Sequence, residues 1–325
     1  MAYWKILSRR NKKTTVLASM LAVSVLSSAT VCAAKTIEKH TNGKAYGRTM
    51  HDDQKEVWNE DVTVNVSGNG GGQWYNNVTG LYLLEGADLT INGNLKMVVK
   101  NKNPATRGKS SSTSDIAHYY MSGIYAGYGG FSYGEQHGDT KCTINGNVDM
   151  DVVGVALQAN KDGYITVRGG KIVTHALTTS DTYAMLAEEG SVFMNTGADG
   201  MTPGTERVVL NGDLFALPTG TLSVALTTAN ARLHGLVDNG GTANLYLQNG
   251  AQWVNEARNM RYSQDSEDIG AGTLTGAGAS ASYTGKSRIT NFHGGMTAEK
   301  RGVIFQKDAQ PLMIDNYSGH TRVPY

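Results

Sequence analysis

Cysteine is nearly absent from this chain: 325 residues contain two, Cys32 and Cys142. That excludes a disulfide framework of the kind that holds small exported domains together. Stability must come from apolar burial and backbone pairing, which a chain of this length can supply. Proline is scarce as well, at 5 residues, whereas glycine reaches 40. An ordinary protein carries roughly 7% glycine, so the excess calls for many tight turns. A disordered Gly/Pro linker is excluded by the β-branched runs between those glycines. The aromatics are 16 Tyr against 5 Phe and 4 Trp, a balance that suits strands with one wet face.

Acidic residues are missing from the first 34 positions, which carry Lys5, Arg9, Arg10, Lys12 and Lys13. The uncharged stretch Val16 to Val31 follows, and then Cys32-Ala33-Ala34-Lys35. A basic segment, an apolar segment and small residues before a cut after Ala34 are the layout of a signal peptide over residues 1–34. A spanning anchor needs about 20 apolar residues, and five Ser and Thr dilute this stretch. Without the leader, 24 basic residues face 28 acidic ones, a formal charge of −4. Such a balance offers no attraction to nucleic acid or anionic lipid.

Internal repetition is the main signal. An apolar strand, a Gly-containing turn and a second apolar strand recur as LTINGNLKMVV from Leu89, CTINGNVDMDVV from Cys142, ITVRGGKIV from Ile165 and VVLNGDLFAL from Val208. Aligning the turns on Gly93, Gly146, Gly169 and Gly212 gives spacings of 53, 23 and 43 residues, so one repeat is expected to take about 21 to 23. A second element precedes the first three repeats: TGLYLLEGADL, SGIYAGYGGFS and VGVALQANKDGY. Each repeat thus reads as two or three short strands with Gly, Asn or Asp corners. Such strands bury an apolar face only by stacking, which predicts an all-β fold, a parallel β-helix or β-solenoid. The solenoid is expected over residues 61–325, with a looped-out, polar, Tyr-rich insertion at 103–140 and a charged N-terminal cap at 35–60. Asp238-Asn239-Gly240-Gly241 predicts a hairpin or corner.

Catalytic patterns were weighed against this scaffold. Asp149 and Asp151 share a strand face by the two-residue period, with Arg168 and Lys171 a repeat away, and are the best acid/base candidates. No second acidic pair recurs beside them, so a solvated outer face is the preferred reading. Gly130-Phe131-Ser132-Tyr133-Gly134 matches the nucleophile-elbow spacing but sits in a Gly/Tyr loop without the required strand and helix. Cys142, inside an apolar repeat, reads as a small buried hydrophobe. The eight His are scattered; His51-Asp52-Asp53 is a weak metal-binding pattern that reads better as part of the charged cap. No catalytic, cofactor-binding or metal-binding residue is therefore assigned, and no cofactor is expected.

The segments LHGLVDNGGTANLYLQNGAQWV and PLMIDNYSGHTRVPY, with Gly250, Ala251 and Trp253 in one and Asn316 to Gly319 in the other, resemble autotransporter (type V secretion) passengers. The resemblance implies a β-helical, adhesin-like passenger carried to the cell surface by a C-terminal translocating β-barrel. No series of ten-residue alternating strands of that kind is present here, and the chain reads as a truncated or split passenger. The expected function is a non-catalytic surface scaffold that adheres to a host-surface or matrix protein, a glycan or neighbouring cells. Its location would be the cell surface, outer membrane or extracellular space if it is joined to a barrel, and otherwise the periplasm. The alternatives are a carbohydrate-active β-helix enzyme, either lyase or hydrolase, and a purely structural fragment.

Overall fold

The computed structural model describes residues 34–68, 78–101, 121–128, 137–175, 183–256, 260–263, 266–270, 287–307 and 311–324. The segment expected to be a signal peptide, except Ala34, and the Gly130–Gly134 pattern lie outside them. Among the described residues every regular element is a strand.

The first turn of the chain runs through β1 (Lys35–His40), β2 (Ala45–Met50) and β3 (Lys55–Trp58). The next runs through β4 (Val62–Gly68), β5 (Val78–Leu84) and β6 (Asp88–Ile91), and the third starts with β7 (Leu95–Asn101) and β8 (Met121–Gly127). β9 (Thr140–Val153) closes the third and opens the fourth, followed by β10 (Val155–Ala159). β11 (Gly163–His175) likewise belongs to the fourth and fifth, ahead of β12 (Tyr183–Ala187) and β13 (Ser191–Met194). Then come β14 (Val208–Asn211), β15 (Asp213–Ala216) and β16 (Thr221–Leu226), and after them β17 (Arg232–His234), β18 (Val237–Asn239) and β19 (Thr242–Leu247). β20 (Gln252–Asn255) precedes an antiparallel pair, β21 (Met260–Ser263) and β22 (Ser266–Gly270). β23 (Arg288–His293), β24 (Gly302–Gln306), β25 (Met313–Ser318) and β26 (Thr321–Arg322) complete the described part.

Except for β21 and β22, every strand pairs in parallel with its counterparts one turn away, which separates three ladders. Face A stacks β1, β4, β7, the second half of β9, the second half of β11, β14, β17, β20, β24 and β26. Face B stacks β2, β5, β8, β10, β12, β15 and β18. Face C stacks β3, β6, the first halves of β9 and β11, β13, β16, β19, β23 and β25. The result is a β-helix-like parallel fold in which the backbone groups of each turn are satisfied by the turns on either side.

Inward residues form unbroken columns. On face A, Val64, Met97, Met150, Ile172, Leu210, Leu233, Trp253 and Ile304 align. On face C, Ile91, Ile144, Val167, Met194, Val224, Leu245 and Phe292 align. All belong to one buried core. Cys142 lies in that core between Leu89 and Ile165, as a small hydrophobe should. Face B matches the bulk of its opposite: Gly80 and Gly123 leave the room that Met97 and Met150 of face A occupy.

Three expectations need adjustment, and one open alternative is decided. Residues 35–60 contain β1, β2 and β3, a full stacked turn, because their apolar positions Ala45, Met50 and Trp58 meet the same interior. The span 103–140 contains β8, which pairs with both β5 and β10 on face B, so this part of the span belongs to the stack. Gly212 occupies a different corner from Gly93, Gly146 and Gly169. It joins faces A and B and lies against Gly235, whereas the other three lie between faces C and A. Asp238 to Gly241 forms a corner between strands of faces B and C, not a hairpin.

Candidate functional site

The acid/base candidates from the sequence are held on the outside of face A. Asp149 is stacked between Lys96 and Lys171 in one exposed column. Asp151 accepts from His175 Nε2 at 2.6 Å. Arg168 turns away to Glu206, donating from Nε at 2.9 Å and from an Nη at 2.7 Å. The two aspartates do share a face, as the strand period predicts, but each meets side chains of neighbouring turns, lysines for Asp149 and a histidine for Asp151, on a solvated wall.

The residues that do converge lie at the corner between faces B and C. In the first three turns this corner is entered by Asp52 and Asp53, by Glu85, and by His137. Four acidic residues at this corner adopt left-handed backbone angles, of which only Glu85 falls outside the expected Gly, Asn or Asp: φ is 53° at Asp52, 57° at Asp53, 52° at Glu85 and 57° at Asp162. Asp tolerates this region better than most residues, because its short polar side chain bonds locally. Backbone bonds hold the corners in register. Asp53 N donates to Glu85 O at 2.9 Å, Glu85 N to Gly127 O at 3.2 Å, and Thr140 N to Asp162 O at 2.9 Å. Gly86 N donates to Thr140 Oγ1 at 3.0 Å.

Side-chain donor atoms of Asp52, Glu85 and His137 come within 4.8 Å of one another. Glu85 is 7% exposed and the His137 side chain 11%. Asp53 stands behind the imidazole, 3.7 Å from Nδ1. Asp52 is braced from outside by His51. A cavity of about 320 Å³ opens beside the cluster, lined by Glu85, His137, Tyr128, Thr140, Lys161 and Asp162. The Lys161 ammonium lies 5.9 Å from the Tyr128 ring centre. Two carboxylates and an imidazole around one point make a donor set suited to a divalent cation, and the cavity provides space for further ligands.

Comparison with known proteins adds nothing. No protein-family model, curated protein or solved structure matches the chain. Function must therefore be argued from the geometry.

The sequence offered Asp52 and Asp53 beside His51 only as a weak metal pattern, set aside for a charged cap, and missed Glu85 and His137. Only stacking unites these residues. The repeat that brings Asp52 over Glu85 takes 33 positions at the equivalent Asn59–Asn92 step, and the next takes 53. Unequal repeats hide such a cluster from any fixed spacing.

A second polar feature lies on the outer side of face B. Ser122 donates to Gln158 Oε1 at 2.7 Å, and Gln158 Nε2 reaches Glu188 at 3.5 Å. Burial pushes the Glu188 carboxyl up to about 8; the Gln158 bond opposes this and the Glu189 charge adds to it.

Proposed function

We propose that this chain is an exported, non-catalytic surface passenger whose solenoid, a right-handed parallel β-helix or close relative, serves as an adhesive scaffold. The observation that carries the reading is the repetition of exposed or partly exposed polar side chains from turn to turn. Thr90, Thr143 and Thr166 share one outward column of face C. Beyond Phe193 and the buried Ser223 the same column ends in Asn244, which is buried, and in Asn291 and Asn316, which are not; side-chain bonds of 2.8 and 3.1 Å link the three. At the C–A corner, Asn92 donates to Asn59 at 2.7 Å and Asn145 to Asn92 at 2.8 Å.

Neighbouring strands are about 4.8 Å apart, so these columns present equivalent groups at a short regular interval. A glycan or an extended protein segment laid along them would make many weak, similar contacts, which add up to avidity. The side-chain ladders are already ordered by their own bonds, which lowers the entropic cost of binding. Export rests on the N-terminal leader, and delivery to the surface on a translocating barrel, as the autotransporter resemblance implies.

The test is adhesion of cells or matrix to surfaces coated with the exported protein, whose amino terminus should be Lys35. Replacing Thr90, Thr143 and Thr166 together by Ala should lower adhesion severalfold, while any single replacement changes it little. Cleavage of an acidic polysaccharide that disappears in Asp149→Ala or Asp151→Ala, without adhesion, would instead establish the enzyme reading.

A further inference from the structure

We infer that the B–C corner of the first three turns is a binding site for a divalent transition cation, with Asp52, Glu85 and His137 as ligands. The inference is independent of the adhesive reading. It rests on the composition of the cluster, its placement and its surroundings.

One imidazole and two carboxylates offer donor atoms within 4.8 Å of each other, close enough to face one ion. The nitrogen donor separates the site from a calcium site, which is built from oxygen alone, and favours a cation of the zinc type. Three protein ligands leave at least one coordination position, and the adjoining cavity of about 320 Å³ gives water or a small anionic ligand room to fill it.

The surroundings match what such a site needs. Glu85 is 7% exposed and the His137 side chain 11%, so two of the three ligands are held in place by packing. Asp53 stands 3.7 Å from His137 Nδ1, within a small side-chain movement of the carboxylate position that commonly partners a metal-bound histidine. Asp52, Asp53, Glu85 and Asp162 concentrate negative charge at one corner, with the Lys161 ammonium beside them. A divalent ion would relieve that repulsion. It would also tie together three successive turns, since each ligand comes from a different one.

The probe is Zn²⁺ titrated into the metal-stripped full chain and followed by calorimetry and thermal unfolding, with Co²⁺ absorption reporting coordination. One equivalent should bind and raise the melting temperature. His137→Ala and Asp52→Asn should each weaken binding at least about tenfold and abolish the melting shift. Asn tolerates the left-handed conformation at position 52, so the second variant keeps the fold. His175→Ala, at a histidine paired with Asp151 elsewhere, should bind like the wild type. Failure of the wild type to bind, or wild-type binding by His137→Ala or Asp52→Asn, would overturn the inference. Loss of binding in His175→Ala alone would overturn it too.

Discussion

At the scale of single residues, Glu188 couples the fold to pH. Its carboxyl is buried and its pKa is pushed up to about 8, so the folded chain holds a proton that the unfolded chain releases in the ordinary glutamate range. Between those limits the folded state binds more protons, and stability falls as pH rises. The contribution is therefore fully present at acidic pH and lost by about pH 8. Glu188→Gln removes the titration. Its melting temperature relative to wild type should rise with pH across this window, and parallel curves for the two proteins would contradict the account. Glycine is as consequential where turns pack closely. A methyl group on Gly123 would stand 2.5 Å from the Ala156 carbonyl oxygen and 2.6 Å from Met150 Cε. Gly123→Ala should cost about 1–3 kcal/mol in urea unfolding, since the backbone oxygen cannot swing aside as a side chain can. Cys142 was legible as a core residue because its neighbours alternate. Glu188 was not, because nothing local marks a carboxylate that a strand one turn away will cover.

At the scale of elements, the Ile-Asn-Gly-Asn corners explain both the success and the slip of sequence reading. Ile91-Asn92-Gly93-Asn94 and Ile144-Asn145-Gly146-Asn147 are identical because they stack directly, with Asn147 N donating to Asn94 Oδ1 at 3.0 Å. Stacking of this kind writes itself into sequence as repetition. Gly212 falls in a similar string, yet serves the A–B corner, because strand lengths vary and a short motif does not say which corner it turns. Face B was legible only as a second element before each repeat. Its outer residues run from Tyr82 and Tyr125 to Gln158, Leu186 and Phe215, so the tyrosine stack of the early turns does not continue along it. Asn92→Ala breaks the bonds to both Asn59 and Asn145 and should cost about 1 kcal/mol by denaturant midpoint. Asp149→Ala, on the solvated wall of face A, should change stability by less than about 0.5 kcal/mol.

At the scale of the whole molecule, the central claim is the cross-turn register: residues far apart in sequence stand side by side because each turn lies flat on the last. Repeats of unequal length, 33 and 53 residues at successive steps, made this register the hardest property to read in advance, although the apolar columns behind it were legible as strands. Engineered disulfides measure it directly. Thr90 and Thr143 are aligned neighbours on the outside of face C, whereas Lys141, two residues earlier, is aligned with Asp88. Aligned neighbours on adjacent strands lie within the Cα separation a disulfide spans, and the diagonal pair lies beyond it. In a chain carrying Cys32→Ser and Cys142→Ala, Thr90→Cys with Thr143→Cys should close under mild oxidation, seen as a linked peptide by mass spectrometry. Thr90→Cys with Lys141→Cys should remain reduced. Closure of the diagonal pair in preference to the aligned one, or of neither, would contradict the stacked register on which the fold, the polar columns and the cation site all depend.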